Sequence, residues 1–245
     1  MEESRRKFFK GIVVAAGTTA LASTTRVSAA TKRPMGDASH RWGMVVDLRK
    51  CIGCQACTVA CHMENDVPIG KFRTIVSNYE IKIGNKTRSV VLPRLCNHCE
   101  DPPCIPVCPV KATYQRDDGM VVVDNSRCVG CAYCVQACPY DARFINPETN
   151  TADKCTFCVH RVEAGLLPAC VETCVGGARM FGDLKDPQSQ VSKLIAKFPT
   201  EGLRPEMKTR PQVYYIGLDD RFNSKVEGTP SLWKREEALG EETES

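Results

Sequence analysis

Arg127 to Phe144 reads R-C-V-G-C-A-Y-C-V-Q-A-C-P-Y-D-A-R-F, which sets Cys128, Cys131, Cys134 and Cys138 at intervals of three, three and four with Pro139 directly after the last. Thiolates at this spacing on a tight loop suit iron: the first three converge on three irons of one [4Fe–4S] cubane, while the fourth points away and ligates a second cluster. Gly130 suits the loop because a residue without Cβ takes positive φ freely and lets backbone N–H groups turn toward sulfur. The chemistry that such a run offers is one-electron transfer.

The same donors recur throughout the chain. Its sixteen cysteines fall into four sets: Cys51, Cys54, Cys57, Cys61; Cys96, Cys99, Cys104, Cys108; Cys128, Cys131, Cys134, Cys138; and Cys155, Cys158, Cys170, Cys174. Every set begins C-x2-C and ends C-x3-C, and none is left over to serve as a nucleophile. Zinc is the main rival, since C-x2-C pairs also build zinc knuckles, and disulfides are a weaker one. Four cysteines in one short run, a Cys-Pro close in two sets and no histidine replacing any ligand favour four [4Fe–4S] clusters, with all sixteen cysteines as iron ligands. His62, His98 and His160 lie beside cysteines and are expected to donate toward sulfur or tune clusters, or to be surface residues, rather than to ligate iron. Trp42, Tyr133 and Tyr140 are expected to pack around them.

Short elements must hold these ligands. Met44-Val45-Val46-Asp47 before the first set recurs as Val121-Val122-Val123-Asp124 before the third, displaced by 77 residues together with the cysteines that follow, so the chain carries an internal repeat. A second repeat follows the last cysteine of three sets, where Ala112, Ala142 and Ala178 each stand four residues on. This small residue is expected to let a helical turn pack close to a cluster and lead into a strand; the first set departs, with Asn65 there. Hairpins are predicted where Ile81-Lys82-Ile83 and Ser89 to Leu92 flank Gly84-Asn85, and where Thr113-Tyr114 and Met120 to Val123 flank Asp117-Asp118-Gly119. Val191, Leu194, Ile195 and Phe198 predict a helix over 189–198, and Val213 to Ile216 a strand. The fold class that follows is α+β, loop-rich with short β-hairpins and held together largely by its metal sites. A body over 42–184 is followed by a C-terminal extension over 185–245, for which packing on the body and docking on a partner are both open.

The N-terminus carries Ser4-Arg5-Arg6-Lys7-Phe8-Phe9-Lys10, a modest apolar run and Val27-Ser28-Ala29-Ala30. This pattern resembles a twin-arginine export signal over 1–29 and is too short and interrupted for a membrane anchor. Export of an already folded chain reconciles many thiols with an oxidising destination, because clusters are built in the reducing cytosol. Without residues 1–29 the formal charge falls from +4 to about +1, and four oxidised cubanes at roughly −2 each make the loaded protein net negative. Nucleic acid is excluded as a partner by that balance. No phosphate loop, nucleophile elbow or zinc-protease motif occurs, so no substrate-converting site or direct small-molecule substrate is expected on this chain.

Four such cysteine sets behind a twin-arginine signal resemble the iron–sulfur subunits of the molybdopterin oxidoreductase family over roughly residues 42–220. Within it, Leu92 to Cys99, Arg127 to Asn146 and Ala152 to Glu172 look most like the subunits that serve tetrathionate-reducing enzymes. Subunits serving polysulfide, thiosulfate and nitrite reductases are close relatives. The resemblance implies a duplicated two-cluster ferredoxin-like fold in which the first set pairs with the fourth and the second with the third. On that pattern Cys51, Cys54, Cys57 and Cys174 hold one cluster; Cys155, Cys158, Cys170 and Cys61 the second; Cys96, Cys99, Cys104 and Cys138 the third; Cys128, Cys131, Cys134 and Cys108 the fourth. It implies an electron-transfer subunit on the periplasmic face of the inner membrane, between a membrane quinol-oxidising subunit and a molybdopterin catalytic subunit, with the first cluster nearest the latter. A free exported ferredoxin-like carrier is the alternative.

Overall fold

A computed structural model describes residues 33–218, except 84 and 85. The export-signal pattern, the Gly84-Asn85 turn and the end of the C-terminal extension lie outside these residues. Residues 35–218 belong to one unit, and among the described residues no helix is long and apolar enough to cross a membrane.

The organising strand is β1 (Trp42–Asp47), whose residues from Gly43 onward are buried. Period-two alternation sends its apolar run to both sides. Met44 and Val46 join the main core, and Val45 joins a smaller one with Met180, Val191 and Ile216. β1 runs antiparallel to β8 (Arg179–Asp183) and parallel to β10 (Val213–Ile216), with β9 (Thr200–Glu201) outside β10, giving the order β8-β1-β10-β9. Residues far apart in sequence thus share the sheet.

Three two-stranded hairpins complete the strands: β2 (Thr74–Ile83) with β3 (Lys86–Leu95), β4 (Thr113–Gln115) with β5 (Val121–Val123), and β6 (Arg143–Ile145) with β7 (Ala152–Lys154). The first two are the hairpins predicted by alternation and turn residues. Helices are short: α1 (Ala56–Asn65), α2 (Tyr133–Gln136), α3 (Val159–Glu163), α4 (Ala169–Glu172) and α5 (Gln190–Lys197).

The predicted helix over 189–198 is α5, with Ser189 as its N-cap: Ser192 N–H donates to the Ser189 hydroxyl. Its Val191, Leu194 and Ile195, with Phe198 just beyond, cover the second face of the sheet. Residues 190–216 therefore pack on the body, and Val213 and Tyr215 are fully buried beside β1. On the opposite face lies the main core, which includes Cys57, Cys96, Cys99, Cys155 and Cys170.

Candidate iron–sulfur centres

Each C-x2-C loop turns on a residue of positive φ directly before its second cysteine: Gly53 at 72°, His98 at 43°, Gly130 at 68° and Phe157 at 55°. This left-handed residue folds the loop so that both thiols face one side. Glycine marks only two of the four positions. His98 and Phe157 hold the same conformation by stacking on each other, ring centroids 3.7 Å apart, and Val121 N–H donates to His98 Nδ1 at 3.0 Å.

The C-x3-C ends use a different device. The backbone N–H of the recurring alanine donates back to the cysteine four residues earlier, from Ala112 to Cys108 Sγ at 3.1 Å and from Ala178 to Cys174 Sγ at 3.2 Å. Lys111, Asp141 and Gly177, one residue before these alanines, all have positive φ, and β4, β6 and β8 begin directly after them. Asn65 substitutes a side-chain donor, its amide reaching Cys61 Sγ at 3.7 Å and Cys158 Sγ at 3.6 Å. Ala152 N–H reaches Cys128 Sγ at 3.3 Å. Such bonds stabilise charge on sulfur.

Cysteines distant in sequence meet around cavities. Cys51, Cys54, Cys57 and Cys174 line one, together with Arg179. Cys61, Cys155, Cys158 and Cys170 line a second, together with Asn65 and Arg73. Cys99 lies within electrostatic range of Cys96, Cys138 and Cys104. Cys104, Cys128 and Cys134 share a small apolar cluster with Val121 and Ala152, Cys131 is exposed on the same loop, and Cys108 is held by its own turn. Among the described residues no three Cys, His, Asp or Glu side chains converge closely enough for a single metal ion. The sulfurs instead ring wider spaces. Sulfur-only donors around enclosed cavities, supplied with N–H groups, fit [4Fe–4S] clusters.

Electrostatics point the same way. Burial pushes the Cys61 and Cys99 thiols up to about 12 and Cys104 to about 11, with neighbouring thiolates adding to the effect on each. Cys108 is held below the ordinary thiol value although burial opposes this, because the N–H groups of Thr113, Ala112, Val110 and Lys111 outweigh it. Buried thiols that resist ionising alone become thiolates when iron takes the proton's place.

His98 is fully buried, its pKa lowered chiefly by that burial and then by Lys154 and Arg143. His160 is a surface residue paired with Glu64, and His62 packs against Phe72. Trp42 is stacked between His40 and Phe181, and buried Tyr140 bonds Thr209 through its hydroxyl, so both pack as expected. Tyr133 does not: it is 57% exposed at the start of α2, because its loop faces outward with Cys131. Sequence reasoning missed Arg143, Lys154 and Arg179, buried cations among the sulfurs. The arginines had a signal, since each directly follows the recurring alanine.

Residues 87–184 match the family model of the 4Fe-4S dicluster domain, and residues 42–63 that of a 4Fe-4S binding domain. The chain is 54% identical to the B subunit of tetrathionate reductase from Salmonella typhimurium, over 96% of this chain and 97% of that one. It is 43% identical to the B subunit of tetrathionate reductase from Archaeoglobus fulgidus, covering 75% and 89% respectively. With the B component of polysulfide reductase from Wolinella succinogenes it shares 42% identity, covering 73% and 95%.

Proposed function

The chain belongs to the iron–sulfur subunits of the molybdopterin oxidoreductase family, and we propose that it links a quinol-oxidising membrane subunit to a molybdopterin subunit that reduces tetrathionate. It is an electron-transfer subunit with [4Fe–4S] clusters, four in number by its cysteine sets. The tetrathionate assignment rests on the identity to the Salmonella protein along nearly the whole chain.

The observation that carries the ligand assignment is the exchange of the last cysteine between the first and fourth sets. Cys174 lines a cavity with Cys51, Cys54 and Cys57, and Cys61 one with Cys155, Cys158 and Cys170. We assign these as the first and second cluster sites. Cys96, Cys99, Cys104 and Cys138 form the third, and Cys128, Cys131, Cys134 and Cys108 the fourth. When bound, the clusters supply one-electron reduction and reoxidation. The chain's own residues hold the sulfurs, exclude water from the middle of the row and aim N–H groups at thiolate charge.

Exposure supports the order of the row. Cys54 and Cys131 are exposed and belong to the first and fourth sites, whereas all four cysteines of the second are buried. Ile52 and Val175 are exposed beside the first site, and Val129 and Tyr133 beside the fourth. Apolar surface at both ends suits two docking partners. The Ser4 to Lys10 pattern supports export by the twin-arginine route to the periplasmic face.

Cys131→Ser in the assembled complex tests this reading. It should remove or convert the fourth cluster and slow quinol-linked tetrathionate reduction at least tenfold, while reduction with an artificial donor to the catalytic subunit persists. Unimpaired quinol-linked turnover with that cluster absent would sink the assignment.

A further inference from the structure

Arg143, Lys154 and Arg179 are 4%, 1% and 3% exposed. Their hydrogen-bond partners are hydroxyls, backbone carbonyls and sulfur, and among the described residues none is a carboxylate. Arg116, equally buried, is by contrast neutralised by Asp118 and Glu163. A buried cation without counter-charge is strongly unfavourable, so the three need negative charge nearby.

Sulfur and uncharged oxygens face them. Arg143 Nη2 donates to Cys104 Sγ at 2.9 Å and Nη1 to Thr113 Oγ1 at 3.3 Å. Lys154 Nζ donates to the Val121 carbonyl and, at 2.8 Å, to the Cys155 carbonyl. Arg179 lines the first cavity and donates to Thr74 Oγ1 at 2.8 Å. In β6 and β7 Arg143 and Lys154 are cross-strand partners, which puts both on one face of the hairpin.

Their contacts sort by assigned site. Arg179 lines the first cavity and bonds Thr74, which lines the second. Lys154 bonds the carbonyl of Cys155, of the second site, and that of Val121, which packs with Cys104 of the third. Arg143 bonds Cys104 of the third site, which packs with Cys134 of the fourth. On these assignments each cation borders two successive sites.

We propose that Arg179, Lys154 and Arg143 are fixed counter-charges, one per gap between successive clusters, that raise the reduction potentials of the flanking clusters and offset repulsion between electrons on neighbours. The inference rests on the ligand assignment above. Reduction adds one negative charge to a cluster, and a buried cation favours the more negative state. In each step one cluster would be oxidised as its neighbour is reduced, and no bond forms or breaks. These are positioning charges in the path, not catalytic residues.

The test is a redox titration, followed by electron paramagnetic resonance, of the loaded full-length chain and of Arg179→Gln, Lys154→Met and Arg143→Gln, after counting iron and sulfide. Each variant should keep about sixteen iron atoms. At fixed potential the reduced-to-oxidised ratio of the two flanking clusters should fall about tenfold, a shift of about 59 mV for a one-electron couple. Arg179→Lys and Arg143→Lys should recover part of that shift, and Arg116→Gln, whose partners are carboxylates and not sulfur, should move the potentials much less. A merely structural role would alter stability without this pattern.

Four clusters with unmoved potentials in the charge-removing variants, or an equal shift in Arg116→Gln, overturns the inference and leaves the ligand assignment standing. Fewer than four clusters in the unaltered chain, or zinc in place of iron, overturns the assignment instead. Where a charge-removing variant fails to load, Arg179→Lys, Arg143→Lys or Lys154→Arg displaces the charge and should give a smaller shift of the flanking potentials; no shift there also overturns the inference.

Discussion

A single backbone torsion shapes each C-x2-C loop, and its demands differ among the four. At Gly130 a Cβ would lie 2.3 Å from the Asn150 carbonyl oxygen, and φ is 68°. Gly130→Ala therefore combines left-handed strain with backbone overlap, and the loaded chain should lose at least about 1–3 kcal/mol, read as a lower thermal midpoint and reduced iron content. Two residues on, Ala132 has φ 63° without glycine's freedom, so Ala132→Gly should relieve about 1 kcal/mol and raise the midpoint. The repeat made Gly53 and Gly130 legible as turn residues. It gave no such hint for His98 and Phe157, whose conformation is held by a stack between residues 59 positions apart. Pairing of that kind leaves no local sequence mark.

At the scale of elements, local patterns carried well and long-range partners did not. Alternation and turn residues identified the β4/β5 hairpin, and helical spacing identified α5. That β10 would lie parallel to β1 was not legible, because Val213 to Ile216 reads the same at an edge or a centre. Its burial makes a clear test of whether the metal sites alone hold the body. Tyr215 is fully buried and its hydroxyl donates to the Pro93 carbonyl at 2.9 Å. Tyr215→Ala should destabilise by about 3–5 kcal/mol in chemical denaturation, although all sixteen cysteines remain. A second test concerns the chain before β1. Asp183 accepts from His40 at 2.8 Å and from Arg41 N–H, raising the pKa of His40. The same contacts, with Lys185 N–H, lower that of Asp183 against its burial. A raised histidine pKa stabilises below the unfolded value near 6.5 and loses that contribution as pH climbs through the folded one. The lowered aspartate contributes above its unfolded value near 3.8 and loses it as pH falls. The contact is thus strongest between these values. His40 is 44% exposed, so screening limits the effect to about 0.2–1 kcal/mol. Hydrogen exchange at Arg41 and Trp42 should quicken from pH 6 to pH 8 beyond the intrinsic base-catalysed rise, and His40→Ala should abolish that excess.

Across the whole molecule the assigned sites are arranged symmetrically by exposure. The first and fourth each hold one exposed, two half-buried and one buried cysteine. In the second all four are buried, and in the third all but Cys138. In the proposed row, two protected sites stand between two that reach the surface. This is the arrangement an electron wire needs, since its ends must approach partners while its middle stays dry. It carries a cost in the isolated subunit. Oxidants and chelators reach exposed thiolate ligands first, because reactivity follows thiolate character and access. Exposing the loaded chain to air, or to a chelator under oxidising conditions, should release iron in two phases, about half of the total quickly and the rest far more slowly. Cys54→Ser should speed the first phase without touching the second, because its site is among the exposed pair. Binding of the two partner subunits should slow the fast phase toward the slow one by covering Ile52 and Val175 at one end and Val129 and Tyr133 at the other. A single release phase at equal rates for all iron would contradict both the assignment of the sites and their order in the row.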